Sequence, residues 1–129
     1  MRILVVEDSD SIRHMIETLM TARGHQVVAV STGARGIDSA QASCPDAILL
    51  DLHLPGSFDG LDVCRRLREG EATRAVPIII ISSLADEASK QRAFEVGATA
   101  YYTKPFSPTA LLKEIESIPA RQSAKLRTK

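Results

Sequence analysis

Three carboxylates, a hydroxyl and an ammonium stand out by where they fall. Glu7-Asp8, Asp51, Ser82 and Lys104 each lie at or just beyond the end of a short apolar block. If those ends meet in a partly desolvated crevice, the carboxylates repel one another and their pKa values rise, unless positive charge intervenes. Lys104 supplies one charge. The remainder calls for a divalent cation, and ligation by one or two carboxylates plus waters suits Mg²⁺ or Mn²⁺ better than zinc. Such a metal would attract a phosphoryl group. A carboxylate beside a divalent cation and a lysine, with a hydroxyl for a phosphoryl oxygen, is equipped to become an aspartyl phosphate by nucleophilic phosphoryl transfer. Asp51 is the natural nucleophile.

The elements that must position these groups are legible in the apolar pattern. Solid blocks at 3–6, 27–30, 47–50, 78–81 and 100–102 read as strands buried on both faces. Between them run stretches with one apolar stripe at helical spacing, such as Ile12, Met15, Ile16, Leu19 and Met20, or Leu111, Leu112, Ile115 and Ile118. Strand and helix alternate five times, and parallel strands require crossover helices, so the pattern predicts an α/β, three-layer αβα sandwich. Ser9 or Asp10 caps the first helix, Gly24 ends it, Gly97 closes the fourth and Pro108 opens the fifth. In an open α/β sheet ligands bind beyond the carboxyl ends of the strands, where the five chemical groups fall.

Composition narrows the class. The 129 residues carry 16 basic and 16 acidic side chains and are 44 % apolar, which suits one folded domain and excludes a disordered chain. Zero formal net charge removes the pull of a dedicated nucleic-acid or membrane-surface binder, so neither is an expected partner. No segment has the apolar length of a signal peptide or membrane span, and the expected location is cytoplasmic. Cys44 and Cys64 lack zinc-site or disulfide spacing and read as structural thiols. Residues 1–118 form the expected domain. Residues 119–129, whose charges Arg121, Lys125, Arg127 and Lys129 are all basic, read as a C-terminal tail or an extension of the last helix.

Glu7-Asp8, Asp51-Leu52-His53-Leu54-Pro55-Gly56, Ser82-Ser83 and Lys104-Pro105-Phe106 together resemble the signature of two-component response regulator receiver domains. The resemblance spans roughly residues 2–118, and its specificity lies in four motifs occurring in order at suitable strand ends. It implies a flavodoxin-like five-stranded parallel sheet in the order 2-1-3-4-5. It implies that Asp51 is the phosphoacceptor, taking its phosphoryl group from a phosphohistidine on a sensor histidine kinase or histidine phosphotransfer protein. Asp8, Asp51 and the backbone carbonyl of His53 would then hold Mg²⁺, with Glu7 acting through water. Lys104 would pair with the phosphoryl group, or with Asp51 before it is modified. Ser82 would donate its hydroxyl to a phosphoryl oxygen, and Tyr101 would act as the aromatic switch that carries the change to the surface of the fourth helix, fifth strand and fifth helix. A downstream protein target, unidentified by the sequence, would read that surface. The family is a class of signalling phosphoacceptors with self-catalysed phosphotransfer and autodephosphorylation rather than conventional enzymes.

Taken singly, each motif has a plainer reading. Glu7-Asp8 could serve only the dipole of the first helix, Lys104-Pro105 could be a turn, Ser82 could satisfy local backbone and Tyr101 could be core packing. His14 and His25 read as solvated. The side chain of His53, like that of Leu84, occupies a position that in the family sets how fast water attacks the phosphoaspartate, by shielding or by orienting that water. The segment 55–60 is one residue longer than the usual loop. Gly97-Ala98-Thr99-Ala100 lacks the paired acids of receivers that dimerise through this face in winged-helix transcription factors. Two readings of the whole chain follow: a single-domain regulator, or the receiver of a larger, for instance transcriptional, response regulator. A haloacid-dehalogenase-like phosphatase would need a second acid where His53 stands. A flavodoxin-like FMN binder would need a phosphate loop where Glu7-Asp8 would repel one.

Overall fold

A computed structural model describes residues 1–118; the basic stretch 119–129 lies outside the described residues. Strands and helices alternate as β1 (Arg2–Val6), α1 (Asp10–Ala22), β2 (Gln26–Val30), α2 (Gly33–Ala42), β3 (Ala47–Asp51), α3 (Gly60–Glu69), β4 (Ile78–Ser82), α4 (Glu87–Glu95), β5 (Ala100–Thr103) and α5 (Pro108–Glu116). The sheet is wholly parallel in the order β2-β1-β3-β4-β5. The α/β sandwich and the 2-1-3-4-5 order are thus both present.

Period-two alternation along each strand divides the core into two halves. Leu4, Val6, Ile48, Leu50, Ile78 and Ile80 pack against α2, α3 and α4 through Ile37, Val63, Leu67 and Ala93. Ile3, Val5, Ala47, Leu49, Ile79 and Ile81 pack on the other face against Ile16 and Met20 of α1 and Leu111 and Ile115 of α5. Each fully buried aliphatic side chain contributes about 1.5–3 kcal/mol of transfer free energy. The reading of every apolar block as doubly buried holds for the interior strands β1, β3 and β4 but not for the edges. In β2, Val28 is 53 % exposed, and β5 is only partly buried throughout, because an edge strand has a neighbour on one side alone.

The helix starts follow side-chain chemistry. Ser9, Thr32, Asp59, Asp86 and Ser107 cap α1 to α5, each accepting a backbone N–H from the first turn. Asp59 and Asp62 complete a reciprocal capping box at α3. Gly24 and Gly97 take positive φ where α1 and α4 end, as expected of those two positions. At the base of the molecule Arg68 donates to the carbonyls of Gly97, Thr73, Arg74 and Val76, binding the end of α3 to the loops that lead into β4 and β5. Cys64 is buried, Cys44 is partly buried, and both are free thiols. His14 is exposed, but His25 is not solvated as expected. Its ring, 10 % exposed, is held between the Met1 amine at 3.1 Å and Glu116 of α5 at 3.2 Å. Long-range packing of α5 against the turn before β2 decides this, and local sequence carries no sign of it. No described helix is long and apolar enough to cross a membrane.

Candidate functional site

Strand register gathers the polar groups at one rim. Val6 pairs with Leu50, so one step further Glu7 falls beside Asp51; Ser82 pairs with Thr103, so Lys104 follows immediately at the same rim. Parity then selects the face: Glu7, Asp51 and Lys104 each stand two residues beyond Val5, Leu49 and Tyr102, which share the α1/α5 side of the sheet. The three side chains therefore converge. Carboxylate oxygens of Glu7, Asp8 and Asp51 all lie within 4.8 Å of one another. Lys104 Nζ stands 2.9 Å from Glu7 Oε1 and 3.4 Å from Asp51 Oδ2.

Burial divides the acids. Glu7 and Asp51 are 1 % and 3 % exposed, whereas Asp8 is open to solvent, so the expected crowding in a desolvated crevice applies to two of the three. Asp51 Oδ1 accepts the His53 N–H at 3.1 Å, and Glu7 Oε2 accepts the Ser9 N–H at 3.1 Å at the start of α1. Glu7 Oε1 has no hydrogen bond of acceptable geometry; the nearby ammonium meets it as an ionic neighbour without directional alignment. Burial first, and then Glu7, pushes the Asp51 carboxyl up to about 7, with the His53 amide and Lys104 opposing. For Lys104, burial pulls the pKa down but Glu7 and Asp51 outweigh it, leaving it raised. The ammonium is thus firmly charged, yet it does not neutralise the acids it faces.

The donor set passes the test of fit for a hard divalent cation. A buried Glu7 oxygen whose neighbouring ammonium is shared with Asp51, an oxygen of Asp51 and the exposed Asp8 carboxylate offer oxygen ligands and excess negative charge. Arg13 buttresses the same turn from α1, donating to the Glu7 carbonyl at 2.9 Å and the Asp8 carbonyl at 3.4 Å. Nothing in the motif pattern singled Arg13 out; its position one turn into α1 is the only sequence signal.

The remaining expected residues ring this cluster. Ser82 ends β4 fully buried; its Oγ accepts the Leu84 N–H at 3.1 Å, and its carbonyl accepts the Lys104 N–H at 2.7 Å. The peptide bond Lys104-Pro105 is cis. Tyr101, on the opposite face of β5 from Lys104, rests its ring against the α2/α3/α4 half of the core. Its hydroxyl reaches out to donate to the Leu84 carbonyl at 2.6 Å, so it is more than core filling. His53 is exposed, its imidazole free of the acid cluster. A cavity of about 480 Å³ reaches the site at Asp8 and His53, with Leu54, Leu61, Leu84 and Arg92 in its walls.

Comparison with known proteins agrees with this geometry. Residues 3–116 match the model of the response regulator receiver domain. The chain is 40 % identical over 116 residues to the transcriptional regulatory protein CseB of Streptomyces coelicolor, covering 90 % of this chain and 48 % of CseB. It spans about half the length of the curated transcriptional regulators it matches. Among solved structures it is similar to chemotaxis protein CheY4 of Vibrio cholerae, with a TM-score of 0.84, 29 % identity, and coverage of 91 % of this chain and 97 % of that one. It is also similar to the receiver domain of sensor histidine kinase PA1611 from Pseudomonas aeruginosa, solved with a magnesium ion in its active-site cleft. There the TM-score is 0.82 with 32 % identity, covering 89 % of this chain and 93 % of that one. With fold, strand order and acid cluster in agreement, the chain belongs to the family of two-component response regulator receiver domains.

Proposed function

We propose that this domain accepts a phosphoryl group on Asp51 from a phosphohistidine of a sensor kinase or histidine phosphotransfer protein. The observation that carries the reading is the placement of one ammonium, Lys104, against two buried carboxylates whose oxygens also lie close to Asp8. An Asp51 oxygen attacks phosphorus, the P–N bond breaks, and the imidazole leaves with the electron pair and takes up a proton. Water later attacks the acyl phosphate, returning the carboxylate and inorganic phosphate.

Asp8, Asp51 and the His53 carbonyl would hold Mg²⁺, with Glu7 acting through water; the ion, when bound, neutralises charge on the phosphoryl oxygens. The PA1611 receiver's magnesium and the hard oxygen donors present here support that ligand set. Lys104 supplies a fixed positive charge for the phosphoryl group once Asp51 is phosphorylated. Ser82, at the end of β4, supplies a hydroxyl for a second phosphoryl oxygen, and in reaching it draws on the loop to which it is tied through Leu84. That loop also holds the Tyr101 hydroxyl, so loop position and tyrosine position are coupled. The phosphoryl group shifts the population towards the arrangement in which Ser82 engages it, changing the α4-β5-α5 surface that a partner protein reads.

The test is incubation with phosphoramidate, with and without Mg²⁺, followed by intact mass. One added phosphoryl group is expected, dependent on Mg²⁺ and absent in Asp51→Asn; an unmodified wild type refutes the reading. A second reading concerns output: these residues serve as the receiver of a longer transcriptional regulator. It is favoured by the curated relatives, transcriptional regulators of which this chain spans about half.

A further inference from the structure

Gly60 occupies the first position of α3 with a φ outside the left-handed region, so its backbone conformation does not call for glycine. Glycine is also the poorest helix former after proline. What does call for it is proximity. A Cβ at this position would lie 2.3 Å from the Asp51 carbonyl oxygen, 2.6 Å from Leu52 Cα and 3.0 Å from the Asp51 carbonyl carbon. All three are backbone atoms at the end of a central strand, with no flexible side chain to give way. The approach is also tied: Gly60 N–H donates to the Leu52 carbonyl at 2.9 Å, and the Asp59/Asp62 capping box fixes the turn that delivers it. Asp51 Oδ1 in turn accepts the His53 N–H, so the strand end, the carboxylate and the following peptide form one closed set of contacts with the start of α3.

We propose that Gly60 is a positioning residue for Asp51: by letting α3 seat directly on the Asp51–Leu52 backbone, it sets where the Asp51 carboxylate and the His53 peptide stand. The inference rests on the phosphoacceptor reading of Asp51 given above. Any side chain at residue 60 pushes β3 and α3 apart, and a displacement of about 1 Å at a reacting group can cost on the order of 100-fold in rate.

The experiment compares wild type, Gly60→Ala and Leu67→Ala, the last loosening the same helix in the core without touching the Asp51 backbone. Each is held well below its melting temperature. The readouts are Mg²⁺ affinity by calorimetry, the initial rate of phosphoramidate phosphorylation, and the amide NMR resonances of Leu52 and His53. The expected result is a loss of about 10- to 100-fold in phosphorylation rate and a weakened Mg²⁺ affinity in Gly60→Ala, with both amides displaced. Leu67→Ala is expected to lose stability while keeping both functions. Wild-type rate and affinity in Gly60→Ala, or equal losses in the two variants, overturn the inference. An unmodified wild type would instead refute the phosphoacceptor reading, and the inference with it. Should Gly60→Ala not fold, Asp59→Ala, which removes only the cap that delivers Gly60, is compared with Thr32→Ala, the cap of α2. A slower rate in Asp59→Ala alone supports the inference; equal rates refute it.

Discussion

Lys104 Nζ lies 2.9 Å from Glu7 Oε1, closer than to Asp51, although Asp51 is the group whose pKa is displaced to about 7. The lysine is thus shared rather than paired, one cation serving two buried anions. Replacing it with methionine leaves both acids without a counter-charge. Removing one partner of a buried pair costs about 3–5 kcal/mol, and partial exposure of this ammonium places the expected loss near about 3. Thermal melts of Lys104→Met should show that loss at pH 8 and a smaller one at pH 5, where Asp51 can be protonated and only Glu7 still faces the vacated position. Equal losses at both pH values would exclude any contribution from the Asp51 charge.

The Asp51 carboxyl is raised from an ordinary 3.8 to about 7 by burial and by Glu7. Well below pH 3.8 folded and unfolded chains both hold this proton, so the group imposes no penalty. As pH rises to 7 the unfolded chain releases it first, and stability falls until the folded pKa is passed. Asp51→Asn should therefore melt higher than wild type at pH 8 without metal, by several degrees, and almost level with it at about pH 3. A lower melting temperature at pH 8 would contradict the crowding of the acids.

Mg²⁺ should reverse that penalty. At 100 times its dissociation constant a ligand specific to the folded state stabilises by about 2.7 kcal/mol. Calorimetric melts should show that increment in wild type, and a small fraction of it at the same concentration in Asp8→Asn, whose exposed carboxylate contributes little else to the fold. Equal Mg²⁺ stabilisation in both would exclude Asp8 as a ligand.

The bond from the Tyr101 hydroxyl to the Leu84 carbonyl is short but near solvent. Tyr101→Phe should lose about 0.5–1.5 kcal/mol of stability and faster amide exchange should appear in the β4–α4 loop. Its initial phosphorylation rate should match wild type, since the hydroxyl faces away from Lys104 across the strand. A changed rate would show that the Tyr101–Leu84 bond reaches Asp51 through the loop that carries Ser82.

Arg68 supplies donors to four backbone carbonyls around β4 at the end of the sheet remote from Asp51. Arg68→Met leaves those acceptors short of partners, and the two on buried residues, Thr73 and Val76, each cost about 1–3 kcal/mol if left unsatisfied. Urea unfolding should report a large loss of stability while Mg²⁺ affinity is retained. Weakened Mg²⁺ binding would show that this remote clamp reaches the acid cluster.

The alternation of apolar blocks and amphipathic stretches determined the five βα units, because burial on two faces and helical spacing are local properties of composition. The positions of Glu7, Asp8, Asp51, Ser82 and Lys104 at block ends were equally legible, since in a parallel sheet every strand delivers its last residue to the same rim. Local pattern says nothing of which strands lie at the edge, so Val28 and β5 are more exposed than their apolar runs suggest. It says nothing either of long-range pairing, and His25, an isolated polar residue in the sequence, is enclosed by Met1 and Glu116. Register and parity alone decided that Glu7 and Asp51 are buried beside one ammonium while Asp8 stays in water. The same packing of α3 on β3 made Gly60 matter, through a close approach between backbones that have no side-chain signature.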